Sequence, residues 1–402
     1  MLLLGVAVII SVIGHILFDY TGIPESAFMI ILGVISGPIL NIITPIGLEP
    51  ILPPLFTISI LVIILESGLE TQLLDAVDKM KSASTFTFIV LIVTSLLVGA
   101  FMYFIIGWEP LPSLLLGVIC SGTSTLPVIY FTSRMSVNED VKTLLVYESI
   151  LNDVTLLTAV TIILQAITIK INIGLTLVNL MRHLILAVIF GSIMALIWAL
   201  ILIKFFQEVH LRYISTLSIL TILYAITEME KASGVLAVLT FSLVLGGLND
   251  ILKHSGLFYK RTVAIFDPLE SQLKSMVGMQ RETSFVVKNL FFLIMGVMFD
   301  LKSLNWNVLV LAILLMALMA VSRIISVGLF SKRNGRYWND VLIIALMLPR
   351  GVTASLAAFM PFEMGVAIPL LKEIIVVLVM VTTITATLGF IILEKGSKTS
   401  TS

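Results

Sequence analysis

Two carboxylates and an amide lie in the middle of a long apolar stretch of the sequence. Residues 148–153 read ESILND, and the apolar residues 144–147 and 154–167 flank them. An ionisable side chain at that depth in a membrane costs about 2.5–3.5 kcal/mol even on the most lenient insertion scale. Such residues usually belong to an ion pathway or a proton relay, so Glu148 and Asp153 are the first candidates for function.

The spacing within this segment is typical of a site for a small, hard cation. Asp153 and Ser149 are four residues apart and share one face of a helix, while Glu148 and Asn152 share the neighbouring face. Carboxylate, hydroxyl and amide oxygens suit Na+, Li+ or protons rather than soft metals. The alternative is a polar cluster that only holds helices together. Two carboxylates so close in sequence favour the ion site.

Three further charged residues are candidates for the same site or its support. Glu66 lies near the end of an apolar stretch, where a carboxylate at the membrane interface is the alternative interpretation. Arg323 lies in mid-stretch without an acidic neighbour in sequence, so a buried carboxylate from another helix should neutralise it. Arg350 could pair with a carboxylate or bind unpaired backbone carbonyls, and both possibilities stay open.

The composition is that of a polytopic membrane protein. Of 402 residues, 59% are hydrophobic and 12% are charged, with a mean hydropathy of +1.14. The net charge of zero gives no indication of nucleic-acid binding, and the single cysteine, Cys120, excludes an internal disulfide. Residues 1–17 lack the basic start of a signal peptide, so they are interpreted as the first span.

Hydropathy predicts about thirteen transmembrane helices in a single transmembrane domain, residues 1–402. An amphipathic surface helix is expected around residues 268–280, between two of the spans. The predicted spans are residues 2–18, 27–44, 52–69, 84–107, 112–132, 142–168, 178–205, 212–228, 232–250, 284–301, 305–330, 338–360 and 372–394.

The distribution of lysine and arginine predicts the orientation. With the N-terminus outside, sixteen basic loop residues fall on the inner side and five on the outer side. Because cytoplasmic loops are enriched in Lys and Arg, the C-terminus is expected in the cytoplasm of a cell whose plasma membrane holds the protein.

Helix breakers interrupt the fifth and twelfth predicted spans. Residues 121–127 read SGTSTLP, and residues 348–353 read LPRGVT. Proline and glycine expose backbone groups that protein or a water-lined cavity must satisfy inside a membrane. The two spans enter from opposite sides, which predicts six-helix inverted repeats over residues 1–168 and 212–394. Residues 178–205 would then be the connecting span and 395–402 a cytoplasmic tail.

Four segments occur in the order typical of one transporter family. They are ESILND at 148–153, LESGL at 65–69, FFLIMG at 291–296 and PRGVTASLA at 349–357. The first resembles the ES-x-x-ND signature of sodium/proton antiporters of the cation:proton antiporter superfamily, in the NhaP-like branch. The other three resemble the third, tenth and twelfth spans of that family. The resemblance covers essentially the whole chain.

One position departs from the family pattern. The family usually has Thr-Asp-Pro at the break of the fifth span, and the aspartate stands twenty-four residues before the signature glutamate. In this chain that position is Ser124, within Thr123-Ser124-Thr125, and the proline is displaced to Pro127. The family's carboxylate at the break is therefore missing.

The resemblance implies a role for each candidate residue. Asp153 and Ser149 would bind the cation, and Thr123 and Glu66 would complete its shell. Asn152 would hold the crossing helices together. The remaining support would come from a Glu148–Arg323 bridge. The family's homodimeric assembly is expected, with no cofactor besides the transported ions.

The resulting hypothesis is an antiporter that exchanges Na+ or Li+ for protons by alternating access, with no net charge moved. A K+/H+ antiporter is the nearest alternative, because residues 121–125 are rich in hydroxyls. A cation channel is the alternative from another class, but two oppositely oriented broken helices favour a moving site. An enzyme is not indicated.

Overall fold

The structure is a computed structural model that describes residues 2–44, 48, 52–70, 77–135, 137–168, 173–205, 208–230, 232–254, 259–302, 304–331 and 335–399. Within these ranges the chain forms helices and no β-strand. The predicted all-α membrane architecture is thus confirmed, while the count of thirteen spans and the inverted repeat stay predictions.

Fifteen α-helices occur in the described part of the chain. A π-helical turn, Ile35–Ile39, extends α2, a second, Met102–Ile106, extends α4, and a 3-10 turn precedes α13. The helices are α1 (Leu2–Thr21), α2 (Glu25–Val34), α3 (Leu52–Glu70), α4 (Val77–Phe101), α5 (Pro110–Ile119), α6 (Thr125–Arg134), α7 (Glu139–Thr168), α8 (Ile173–Phe205), α9 (Val209–Met229), α10 (Gly234–His254), α11 (Tyr259–Val297), α12 (Trp306–Ser331), α13 (Val341–Leu346), α14 (Val352–Glu363) and α15 (Leu371–Thr399).

The helices assemble into two compact units that each combine distant parts of the chain. The first unit comprises Met1–Pro53, Ala76–Thr168 and Lys288–Ser402, and the second comprises Pro54–Asp75 and Ile169–Val287. Each unit takes segments from both predicted repeats, so the units do not follow the repeat boundaries. The signature segment, both helix breaks and Arg323 all belong to the first unit.

Six described helices are long and apolar enough to cross a membrane, and each overlaps a predicted span. They are Lys81–Ile106, Glu139–Thr168, Arg182–Phe205, Val209–Met229, Trp306–Ser331 and Leu371–Ile392. One boundary differs from the expectation. The predicted surface helix and the tenth span form one continuous helix, α11, of 39 residues. Pro268 lies inside this helix rather than at its start.

Close backbone contacts hold the first unit together. Gly33 of α2 and Gly296 of α11 face each other, because a Cβ atom on Gly296 would lie 2.3 Å from the carbonyl oxygen of Ile30. A Cβ on Gly117 of α5 would likewise lie 2.5 Å from the carbonyl oxygen of Ser95 on α4. Lipid tails are as apolar as leucine, so helices in a membrane associate through such close packing rather than through the hydrophobic effect.

The side chains at one end of the first unit form a dense apolar cluster. It joins α1, α4, α6, α7, α12, α13 and α15, and Phe131 of α6 stacks on Phe390 of α15 with ring centroids 4.9 Å apart. This cluster fixes α6 and α7 beside α12 and α13. Those four helices carry most of the candidate site.

Candidate ion-binding site

Two interruptions of helical structure meet in the first unit. Residues 120–124 separate α5 from α6, and residues 347–351 separate α13 from α14. The backbone N–H of Ser124 donates to the carbonyl of Pro349 at 2.9 Å, which joins the two interruptions directly. A Cβ on Gly351 would lie 3.1 Å from the Ser124 hydroxyl oxygen and 3.2 Å from its Cβ, so this approach favours glycine.

The prolines explain why the helices stop and restart at these places. Pro127 is the third residue of α6, within the first turn, where its missing N–H leaves no helical hydrogen bond unmade. Pro349 disfavours helical backbone at Leu348, which lies in the interruption after α13. The local sequence therefore favours both breaks.

Two side chains bind the backbone carbonyls exposed where α5 ends. The Asn152 amide donates from Nδ2 to the carbonyl of Ser121 at 2.9 Å, and Arg350 donates from Nη2 to the carbonyl of Cys120. Donors and positive charge at a helix C-terminus satisfy unpaired carbonyls and oppose the helix dipole. Of the two roles left open for Arg350, the structure contains the contact with a free carbonyl.

Glu148 and Arg323 form a buried, two-pronged ion pair. Arg323 donates from Nη1 to Oε1 at 3.0 Å and from Nη2 to Oε2 at 2.9 Å, and the side chains are 0% and 1% exposed. The guanidinium also donates from Nε to the carbonyl of Ile344 at 2.7 Å, near the end of α13. Thr123 adds a longer hydrogen bond to Oε1 of Glu148, at 3.4 Å.

The remaining carboxylate of the signature segment lies in a different environment. Asp153 is half-buried, whereas Ser149, one turn earlier on the uninterrupted helix α7, is fully buried. The Ser149 hydroxyl donates to the carbonyl of Val146 at 2.8 Å, so its oxygen lone pairs point away from that bond. A carboxylate and an oriented hydroxyl on one helix face can together bind a small cation.

Not all candidate residues are brought to Asp153 by described contacts. Thr123 lies in the interruption beside α6 and contacts Glu148, so its predicted contribution to the cation shell stays a prediction. Glu66 is half-buried on α3, within the second unit. Its predicted place in the cation shell therefore stays a prediction as well.

Sequence reasoning missed several polar residues that support these helices. Gln280 of α11 donates from Nε2 to the carbonyl of Val62 on α3 at 2.6 Å, one turn before Glu66. The hydroxyls of Thr94 on α4 and Ser322 on α12 bond to each other at 2.8 Å, next to Arg323. Gln280 had been placed on a surface helix, and hydroxyls inside apolar stretches give no signal of their partners.

These features are typical of a helical membrane transporter. The chain belongs to the family described as "Sodium/hydrogen exchanger, transmembrane", whose model matches residues 6–395. The fold is similar to the structure of the sodium proton antiporter MjNhaP1 from Methanocaldococcus jannaschii at pH 8, with a TM-score of 0.73 and 22% identity. That similarity covers 97% of this chain and 94% of the other.

A second structure of the same antiporter, from electron microscopy, is similar with a TM-score of 0.67 and 21% identity, again over 97% and 94% of the two chains. No curated protein sequence matches this chain. At these identities the structural similarity establishes the fold, and the family membership rests on the match over residues 6–395. The resemblance inferred from the ESILND segment is thereby confirmed.

Proposed function

We propose that the protein exchanges Na+ or Li+ for protons, with Asp153 as the group that binds each in turn. The observation that carries this proposal is the contrast between the two carboxylates of α7. Glu148 is fully buried and bound at both oxygens by Arg323, whereas Asp153 is half-buried beside the oriented hydroxyl of Ser149. Glu148 is thus held by Arg323, and Asp153 is the partly exposed carboxylate of this helix.

Competition between the proton and the cation for the Asp153 carboxylate couples the movement of one ion to that of the other. When Asp153 faces one side of the membrane it takes up a proton, and when it faces the other it releases the proton and binds the cation. Because the site binds either a proton or a cation but not both, neither ion crosses the membrane without exchange for the other. Alternating access requires the broken helices to move with α7, which the contacts of Asn152 and Arg350 with the end of α5 support.

The exchange is proposed to be electroneutral. Asn152 and Ser124 carry no titratable group, and Glu148 is held by Arg323 in a buried ion pair. One proton then replaces one monovalent cation at Asp153, and the loaded site has the same charge in both directions. Glu66 would change this stoichiometry only if it also bound a proton in each cycle.

The setting of the transporter is part of the proposal. The excess of basic residues on one side supports a plasma-membrane protein with an outer N-terminus and a cytoplasmic C-terminus. A homodimer, the assembly expected from the family resemblance, is proposed as the functional unit. The lipid bilayer and the transported ions are its partners, and no cofactor takes part.

Ion-driven proton flux in proteoliposomes tests the activity. Vesicles with a pH-sensitive dye inside receive NaCl, LiCl or KCl in separate experiments. Alkalinisation of the vesicle interior with Na+ and Li+ but not with K+ is expected, because protons leave as the cation enters. A response to K+ alone would instead identify a K+/H+ antiporter. Tracer Na+ flux that proceeds without any opposite proton movement would contradict the proposal and indicate a channel.

A further inference from the structure

A second buried arginine near the ion pair lacks a charged partner among the described residues. Arg350 is 4% exposed, and its Nη2 binds the carbonyl of Cys120. Its Nε and Nη1 atoms are buried without a hydrogen-bond acceptor in the part of the chain that the structure describes. A buried charge with unsatisfied donors is strongly unfavourable unless a partner neutralises it.

The nearby charged side chains do not supply that partner. Glu148 and Arg323 both act electrostatically on Arg350. They form a closed pair in which each carboxylate oxygen already accepts a guanidinium N–H. The three side chains therefore carry a net charge of +1 in a region that water barely reaches.

The backbone dipoles at the breaks do not neutralise this charge either. The C-terminal ends of α5 and α13 are partially negative, and the N-terminal ends of α6 and α14 are partially positive. The two kinds of end occur in equal number at the joined interruptions, so their charges cancel. Arg350 binds one negative end through Nη2, which leaves its other edge uncompensated.

Asp153 cannot serve as the permanent counter-charge if the proposed function holds. In each loaded state of the exchange cycle Asp153 is neutralised by its own passenger, a proton or a cation. The positive charge of Arg350 then persists through the two steps that cross the membrane. This step of the argument rests on the proposed antiport.

We propose that a small monovalent inorganic anion of the chloride type binds at the Nε–Nη1 edge of Arg350 as a fixed counter-ion. It would accept the two unsatisfied N–H groups and cancel the net charge. Ser124 lies beside the backbone on both sides of Arg350, since its N–H binds the carbonyl of Pro349 and its side chain lies next to Gly351. Its hydroxyl, which has no described hydrogen bond of its own, is suited to donate to the anion.

A thermal-stability experiment on the purified full-length protein tests the site without measuring transport. Melting temperatures are compared in sodium chloride, sodium bromide and sodium gluconate at equal ionic strength and equal Na+. Chloride and bromide are expected to raise the melting temperature by a few degrees in a saturable way, because a ligand that binds only the folded state stabilises it. Gluconate, a much larger organic anion, should give no such rise.

Ser124→Asp supplies a covalently attached negative charge at the same place. This variant should melt at the same temperature in chloride and in gluconate. Ser133→Asp is the matched control, because it adds the same charge to the exposed surface of α6, away from the break. It should keep the full chloride effect. Equal chloride shifts in Ser124→Asp and Ser133→Asp would overturn the proposal.

Bromide also allows the anion to be located by crystallography in the unaltered protein. This second test does not depend on whether a variant folds. Crystals grown in bromide should give an anomalous peak beside the Arg350 guanidinium. No peak there, or equal melting temperatures of the unaltered protein in chloride and gluconate, would mean that water alone satisfies Arg350, and the proposal would fall. If exchange activity is absent but the peak is present, the anion site stands and the antiport proposal fails.

Discussion

Arg323 neutralises Glu148 through two parallel hydrogen bonds and, through its third edge, holds the carbonyl of Ile344. One guanidinium thus connects the uninterrupted helix α7 with the end of α13, the first half of a broken helix. Each carboxylate oxygen and each guanidinium nitrogen of the pair has a hydrogen-bond partner among the described residues. Its main contribution is positional, because burying two charges costs about as much as their attraction returns.

Breaking this pair from one side should be strongly destabilising. Glu148→Gln and Arg323→Met should each lower the free energy of unfolding by about 3–5 kcal/mol, since each leaves a buried charge alone. The double variant should lose less than the sum of the two. Thermal melting in detergent measures all three, and simple additivity would contradict the coupling.

An exposed pair on the same helix provides the control for that cycle. Lys142 and Glu139 lie 3.7 Å apart with side chains 37% and 83% exposed. Neutralising either should change stability by less than about 1 kcal/mol. Comparable losses at the exposed and buried pairs would mean that the melting transition does not report on the buried site.

Asp153→Asn should abolish exchange and leave the protein folded. The amide keeps the size of the side chain but can neither release a proton nor offer a full negative charge to a cation. Proton flux driven by Na+ in proteoliposomes is the measurement, with melting temperature as the check on folding. Asp300→Asn, at an exposed aspartate, should retain activity. Sodium-driven flux in a folded Asp153→Asn variant would eliminate the single-carboxylate mechanism.

Two glycines of the same helix should respond oppositely to alanine. A Cβ on Gly296 would meet the backbone of Ile30 and Gly33 at 2.3 and 2.9 Å, whereas nothing lies within 4 Å of a Cβ on Gly278. Gly296→Ala should therefore destabilise by about 1–3 kcal/mol or more through overpacking. Gly278→Ala should stabilise by up to about 1 kcal/mol through helix propensity. Similar melting temperatures for the two variants would refute the close contact of α2 with α11.

Membrane potential should neither drive nor slow the exchange. A moved elementary charge would respond with about 2.3 kcal/mol per 100 mV, whereas one proton against one monovalent cation moves none. Exchange in proteoliposomes, with the potential clamped by potassium and valinomycin, is the measurement. A rate or end-point that shifts with the imposed voltage would show that a second group titrates, and Glu66→Gln would then be the next variant.

The sequence alone determined the membrane-spanning helices, because hydropathy and helix breakers act over one or two turns of chain. Six of the predicted spans overlap described helices that are long and apolar enough to cross a membrane. Pro349 lies in one interruption, and Pro127 lies in the first turn after the other. The same local reasoning did not foresee that the surface helix and the tenth span form one continuous helix, α11. Pro268 is accommodated inside a long helix, and local preference does not reveal which neighbours make that possible.

The requirement for a partner of Arg323 also followed from the sequence, since an arginine in mid-membrane needs a counter-charge. The family resemblance implied that this partner is Glu148, 175 residues away. The pairing of both carboxylate oxygens with one guanidinium became visible only in the structure. Arg350 shows the same limit, because its contact with Cys120 spans 230 residues and the sequence left two roles open.

Tertiary structure decided how deeply each charge is buried and which groups surround it. Glu148 and Asp153 stand five residues apart and look alike in the sequence, yet one is closed by Arg323 and the other is half-buried. Arg323 and Arg350 differ in the same way, since the second keeps two N–H groups without an acceptor in the described residues. The physical reason is that desolvation and pairing depend on which helices pack around a side chain, whereas its depth in the membrane depends only on the chain itself.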